Sequence, residues 1–135
     1  LHASCKANYT FTASACHDVS RAIVAAAGTL SGFSNCGSGE KCGYSIDSAS
    51  DLLVTGKHET PTKHYKDDLS FALTPRGDGC EVGGYSTSET WYAVLDDGTN
   101  YCNLHNLIAA TGLSNTENVD KDACTQYSSA DCSKY

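Results

Sequence analysis

Large aliphatic and aromatic side chains are scarce in this chain: Leu, Ile, Val and Phe together number 22 of 135 residues. With a formal net charge of -7, so thin an apolar content would by itself point to disorder rather than to a packed core. No apolar run is longer than Ala22 to Ala27, against the roughly 20 residues a membrane-crossing helix needs, so insertion into a bilayer is not expected. No linker-like run of Pro, Ser or Gly divides the chain, and its length is that of one domain, so a single unit over 1–135 is expected. Internal repeats and heptads are also absent. No charged-then-apolar leader precedes Leu1, so any signal peptide is expected to have been removed already.

What is abundant is cysteine. Cys5, Cys16, Cys36, Cys42, Cys80, Cys102, Cys124 and Cys132 are even in number and spread from end to end, the pattern of a disulfide framework made in an oxidising compartment. The protein is therefore expected to be secreted and extracellular, with all eight paired; which pairs with which is left open. Four cross-links at roughly 2–4 kcal/mol each would compensate for the thin core. Zinc is the rival use of thiols, but its sites gather ligands as close C-x2-C or C-x4-C pairs, and the closest pair here, Cys36 and Cys42, is wider. No metal and no cofactor is expected. Asn8-Tyr9-Thr10 is an N-glycosylation sequon, in keeping with a secretory route.

Charge is unevenly placed. Residues 1–76 hold seven Lys or Arg against seven Asp or Glu, whereas residues 77–135 hold two against nine. So acidic a C-terminal half repels phosphate backbones, which argues against nucleic acid as a partner.

Along the chain, Lys6–Thr12 reads as a short strand. From Ser14 the period changes: Cys16, Val19, Ile23, Ala26, Ala27 and Leu30 share one helical face, with Gly32 as a plausible stop. Ser34–Lys41 is a loop by its Gly, Ser and Asn content. Strands are predicted at Gly43–Asp47, Leu52–Glu59, Tyr65–Thr74, Cys80–Thr87 and Thr90–Leu95, the third with clear alternation of Leu69, Phe71 and Leu73. Tight turns at Pro75–Gly79 and at Asp97-Gly98 favour an antiparallel meander. A short second helix is expected from Asn103 as N-cap to Gly112, burying Leu104, Leu107 and Ile108, followed by an irregular tail tied down by Cys124 and Cys132. The fold class is then α+β: one main helix packed on a twisted antiparallel sheet, a small second helix and four disulfides.

Two families share that outline. The strand, helix and meander order resembles the cystatins, but Leu53-Val54-Thr55-Gly56 follows Leu52 where their Gln-x-Val-x-Gly hairpin begins with glutamine, so protease inhibition is not expected. Three stretches are similar to the fungal guanyl-specific ribonucleases. Thr12–Ala22 is similar to the start of that family's helix, Thr60–Phe71 to its Tyr-Pro-His-x-Tyr strand, and Ile108-Ala109-Ala110-Thr111-Gly112 to its terminal Ile-Thr-His-Thr-Gly. Thr62 stands in place of one family histidine, Ala110 replaces the other, and no arginine occurs after Arg76. That resemblance implies an active site dismantled or rebuilt.

Candidate chemistry is sparse. His64, Glu89 and His105 are the residues that could pair as acid and base about a scissile bond, provided the fold brings them together. His58-Glu59 with His64 lacks zincin spacing, and Asp96-Asp97-Gly98 lacks the ligand order of a calcium loop. Tyr85 with Trp91 and Tyr92 offers amphipathic contact area for recognition, although such rings are equally at home half-buried in a small sheet. Arg76-Gly77-Asp78 falls in a predicted hairpin turn, from which an integrin cleft could take the guanidinium and the carboxylate; a turn also favours Gly and Asp for their own sake. The expected role is binding, to an extracellular protein, to a cell-surface receptor such as an integrin, or to further copies in self-assembly. A ribonuclease-like hydrolase is the alternative.

Overall fold

The computed structural model describes residues 2–90 and 94–135. It is α+β: β1 (Ser4–Phe11), α1 (Cys16–Thr29), β2 (Tyr44–Ala49), β3 (Leu53–Glu59), β4 (Lys66–Arg76), β5 (Gly79–Ser88), α2 (Thr99–Ala110) and β6 (Thr116–Cys124), then a short 3-10 turn at Tyr127–Ser129. The strands form one antiparallel sheet in the order β2-β3-β4-β5-β1-β6. The meander from β2 to β5 is consecutive, as the turn chemistry predicts, and β1 lies between β5 and β6.

Both helices cover one face. Alternation puts Cys5, Ala7, Tyr9 and Phe11 of β1, Leu69, Phe71 and Leu73 of β4 and Val82 of β5 beneath them, while Val19, Ile23, Ala26 and Ala27 of α1 and Leu104, Leu107 and Ile108 of α2 face down. Gly84 lets α2 come close, since a Cβ there would stand 3.3 Å from the Leu104 side chain and the Ala7 carbonyl oxygen. The other face is open to solvent and polar, with Lys6 and Asn8 exposed and Tyr85 half-buried.

The cysteines pair as Cys5–Cys124, Cys16–Cys80, Cys36–Cys42 and Cys102–Cys132. They tie β1 to β6, α1 to the start of β5, a loop to itself, and α2 to the C-terminal segment. Among the described residues no helix is long and apolar enough to cross a membrane.

Two sequence expectations are corrected, and a third falls in part outside the described residues. The second helix begins at Thr99, not after Asn103, because the Asp96 carboxylate accepts from the Gly98 and Asn100 backbone N–H groups and so caps the helix a turn earlier. At twelve residues against fourteen for α1, it is no minor element. The tail is not irregular throughout: β6 pairs with β1 as an edge strand, and its mostly exposed Thr116–Cys124 sequence lacks the apolar alternation that would have marked it. The strand expected at Thr90–Leu95 falls partly on 91–93, outside the described residues, and Val94 and Leu95 beside them have no regular structure.

Candidate functional site

The helix-covered face of the sheet changes character along its strands. In the strand register Tyr44 lies opposite His58, His58 opposite Asp67, and Asp67 opposite Ser88, so these four form one row across β2, β3, β4 and β5. All four are buried. Alternation that places Leu69, Phe71 and Leu73 in the core places Asp67 there too, at the end of the strand.

Helix α2 supplies the partners. Asn100, Asn103 and Asn106 are buried, and their three-residue spacing keeps them on one side of the helix. Asn103 Nδ2 donates to Asp67 Oδ2 at 2.7 Å and approaches Ser86 Oγ at 3.2 Å. Ser86 Oγ donates to Asn100 Oδ1 at 2.6 Å, and Asn100 Nδ2 reaches Ser88 Oγ at 3.0 Å and Asp96 Oδ2 at 2.9 Å. The His58 ring lies against Tyr44, centroids 4.4 Å apart, and its Nε2–H donates to the Glu40 carbonyl oxygen at 2.8 Å. Buried polar groups left without partners cost about 1–3 kcal/mol each, so a connected set of this kind fixes its members in place.

Beside this row lies a cavity of about 410 Å³, in the size range of small-molecule sites. Asp67 and Ser88 line it from the sheet with Lys66 at the start of β4, Glu40 from the loop closed by Cys36–Cys42, Tyr65 from the β3–β4 connection, and Asp96 from just before α2. Burial pushes the Glu40 carboxyl above its ordinary range, with Asp67 and Asp97 adding to the effect and His58 and Lys134 opposing it. Burial likewise raises Asp96, against hydrogen bonds from Asn100 and Gly98. Two atoms of the cluster have no hydrogen-bond partner: Glu40 Oε1 and His58 Nδ1. His58 Nε2 gives its proton to the Glu40 carbonyl oxygen, and Nδ1 faces Asp67 Oδ2 3.9 Å away, beyond hydrogen-bond distance.

The residues singled out in the sequence lie elsewhere and apart from one another. His64, at a positive φ of 56° beyond β3, is exposed and paired with Glu59 at 2.7 Å. Glu89 pairs with Lys57 at 2.9 Å, beside Asp68. His105 on α2 contacts Glu117 of β6 at 3.0 Å and the Tyr101 hydroxyl at 3.2 Å. Each has a different carboxylate or lysine partner, and no one of them shares a contact with another. Arg76 stacks its charge on Glu81 at 3.3 Å, Tyr85 lies under the Lys6 ammonium, and Gly77-Asp78 forms an exposed two-residue turn with Gly77 at φ 58°. Asn8 is exposed on the open face; Trp91 and Tyr92 lie outside the described residues.

Among the described residues no group of three His, Cys, Asp or Glu side chains is placed to hold a metal ion. Sequence reasoning missed the cavity because its polar groups come from five separated segments. The one signal it could have used is the Asn100, Asn103, Asn106 stripe beside Leu104 and Leu107. No protein-family model, no curated protein and no solved structure matches this chain, and the ribonuclease and cystatin likenesses rest on the short stretches quoted above alone.

Proposed function

We propose that this is a secreted, disulfide-stapled protein that acts by binding, and that the cavity over Asp67 is where it holds its ligand. The observation that carries this reading is the fixed floor: a carboxylate buried on a sheet, oriented by Asn103, and opening on a space large enough for a small molecule. Pre-set polar groups in a concave site bind without first having to be ordered. A hydrolase is less well supported, because His64, Glu89 and His105 have separate partners in separate places. A glycan at Asn8 would stand on the open face, opposite the side on which Asp67 lies.

A fragment screen by ligand-observed NMR tests the reading. Compounds that bind and are displaced or weakened by Thr99→Trp, which fills the cavity mouth, support it; a screen whose hits are all indifferent to that substitution overturns it. The exposed Gly77-Asp78 turn favours a second, receptor-directed reading, in which Arg76 would first have to leave Glu81.

A further inference from the structure

We infer that the cavity recognises a small organic ammonium ion, with the charged nitrogen held between Glu40 and Asp67 and an apolar or aromatic body lying toward Tyr65 and Leu95. This deepens the reading of the cavity as a binding site and rests on it.

Four carboxylates, those of Glu40, Asp67, Asp96 and Asp97, line the cavity. Asp67 Oδ2 receives one hydrogen bond, from Asn103, while Glu40 Oε1, a buried atom, receives none. His58 is 1 % exposed, with Nδ1 turned toward the Asp67 carboxylate. A carboxylate can accept about four hydrogen bonds, so unmet acceptor capacity accumulates at one point. An ammonium group is the complement: three donors and a full positive charge on one small atom. A neutral hydroxyl brings one donor and no charge, and a carboxylate or phosphate brings neither and would be repelled.

Charge placement agrees. Asp67 and the half-buried Glu40 and Asp96 lie within, while the basic residues of the cavity, Lys63 and Lys66, are exposed at its edge, Lys66 already within 3.9 Å of Glu59. An ammonium–carboxylate contact out of bulk water is worth more than one at the surface, since both the Coulomb term and the hydrogen bond strengthen. The mouth supplies the remaining contact area through the exposed Leu95 and Tyr65 side chains.

The test uses the intact oxidised protein, 15N-labelled, titrated with three probes of one shape: tyramine, neutral 4-ethylphenol and anionic 3-(4-hydroxyphenyl)propanoate. Tyramine is expected to bind at least roughly tenfold more tightly than either, shifting the amides of Asp67, Ser88 and Thr99, and to lose roughly tenfold in Glu40→Gln, as expected for one charge-assisted hydrogen bond. Asp67→Asn should lose at least as much, and because it touches the buried network, Glu40→Gln serves as the variant that keeps the fold. Equal binding of tyramine and 4-ethylphenol overturns the ammonium inference and leaves the cavity as a binding site. Tightest binding by the propanoate overturns it too, and assigns recognition to the lysines. Absence of any shift at those amides with all three probes overturns both.

Discussion

The two ends of the same sheet are built on different principles. At one end, where β4 runs into β5, Phe11, Leu73 and Val82 close against α1, and the Cys16–Cys80 bridge pins that helix down. At the other end the same inward-facing positions carry His58, Asp67, Ser86 and Ser88, and α2 answers with asparagines instead of leucines. The first end is held by apolar burial, which is tolerant of geometry. The second is held by directional hydrogen bonds, which are not, and it is the end that leaves a cavity. In a chain with so few large apolar residues, stability is concentrated at one end, and the other is free to be polar.

The largest expected effect breaks the closed end. Cys16→Ala with Cys80→Ala opens a loop of sequence separation 64 and should cost about 4 kcal/mol by loop-closure entropy, whereas Cys36→Ala with Cys42→Ala, of separation 6, should cost about 2 kcal/mol. Denaturant unfolding of the two variants under oxidising conditions gives the difference. The short-loop variant should lose ligand affinity out of proportion to its stability, because that loop carries Glu40.

Next come single side chains. Leu73→Ala at the closed end should cost about 3 kcal/mol, as for other buried leucines. Asn103→Ala at the cavity end should cost about 2 kcal/mol, because it strips Asp67 and Ser86 of a donor rather than emptying apolar space. If Asn103→Ala proves the costlier, the contrast between the ends is wrong.

A smaller effect separates carboxylates by pH. Glu40 and Asp96 titrate above their ordinary range in the folded state, so stability falls as pH rises from the unfolded value through the folded one. Burial also pushes Glu117 upward, but hydrogen bonds from His105 and Tyr101 outweigh it and bring the group below its ordinary range. Its contribution is present above the unfolded value and is lost as pH falls through the folded one. Glu40→Gln should therefore raise the Tm at pH 7 by a degree or so, and Glu117→Gln should lower it by roughly as much, both differences fading near pH 3. Thermal scans across that range, with the same sign for both variants as the disproving result, decide it.

Least is expected at the exposed turn. Asp78→Glu should change stability by less than about 0.5 kcal/mol, since the side chain is in solvent. Adhesion of integrin-bearing cells to immobilised wild type and variant then tests receptor engagement alone: loss in the variant supports it, and equal adhesion removes it.

Much of the fold was legible because local patterns and tertiary structure agreed. The three- and four-residue recurrence from Cys16 to Ala27 marks α1, and the Leu69, Phe71, Leu73 alternation marks β4. β6 was not legible: an edge strand exposing most of Thr116–Cys124 needs no apolar alternation. The start of α2 was hidden for a related reason, since its first two turns bury Asn100 and Asn103, residue types that propensity assigns to caps. The cavity was legible least of all. Asp67 and Asp68 look alike in sequence, yet one is buried against Asn103 and the other lies beside Lys57, and only the register of three strands decides which.

The Cys5–Cys124 bridge has a consequence for wear. It joins residues 119 positions apart, directly opposite one another on β1 and β6. A protease that cuts once anywhere between them, at the exposed Arg76–Gly77 bond for instance, severs the backbone without separating the pieces. Cys16–Cys80 spans that same bond independently. A nicked molecule would thus remain one covalent body of unchanged mass apart from a water, and its damage would become visible only when a reductant lets the fragments part.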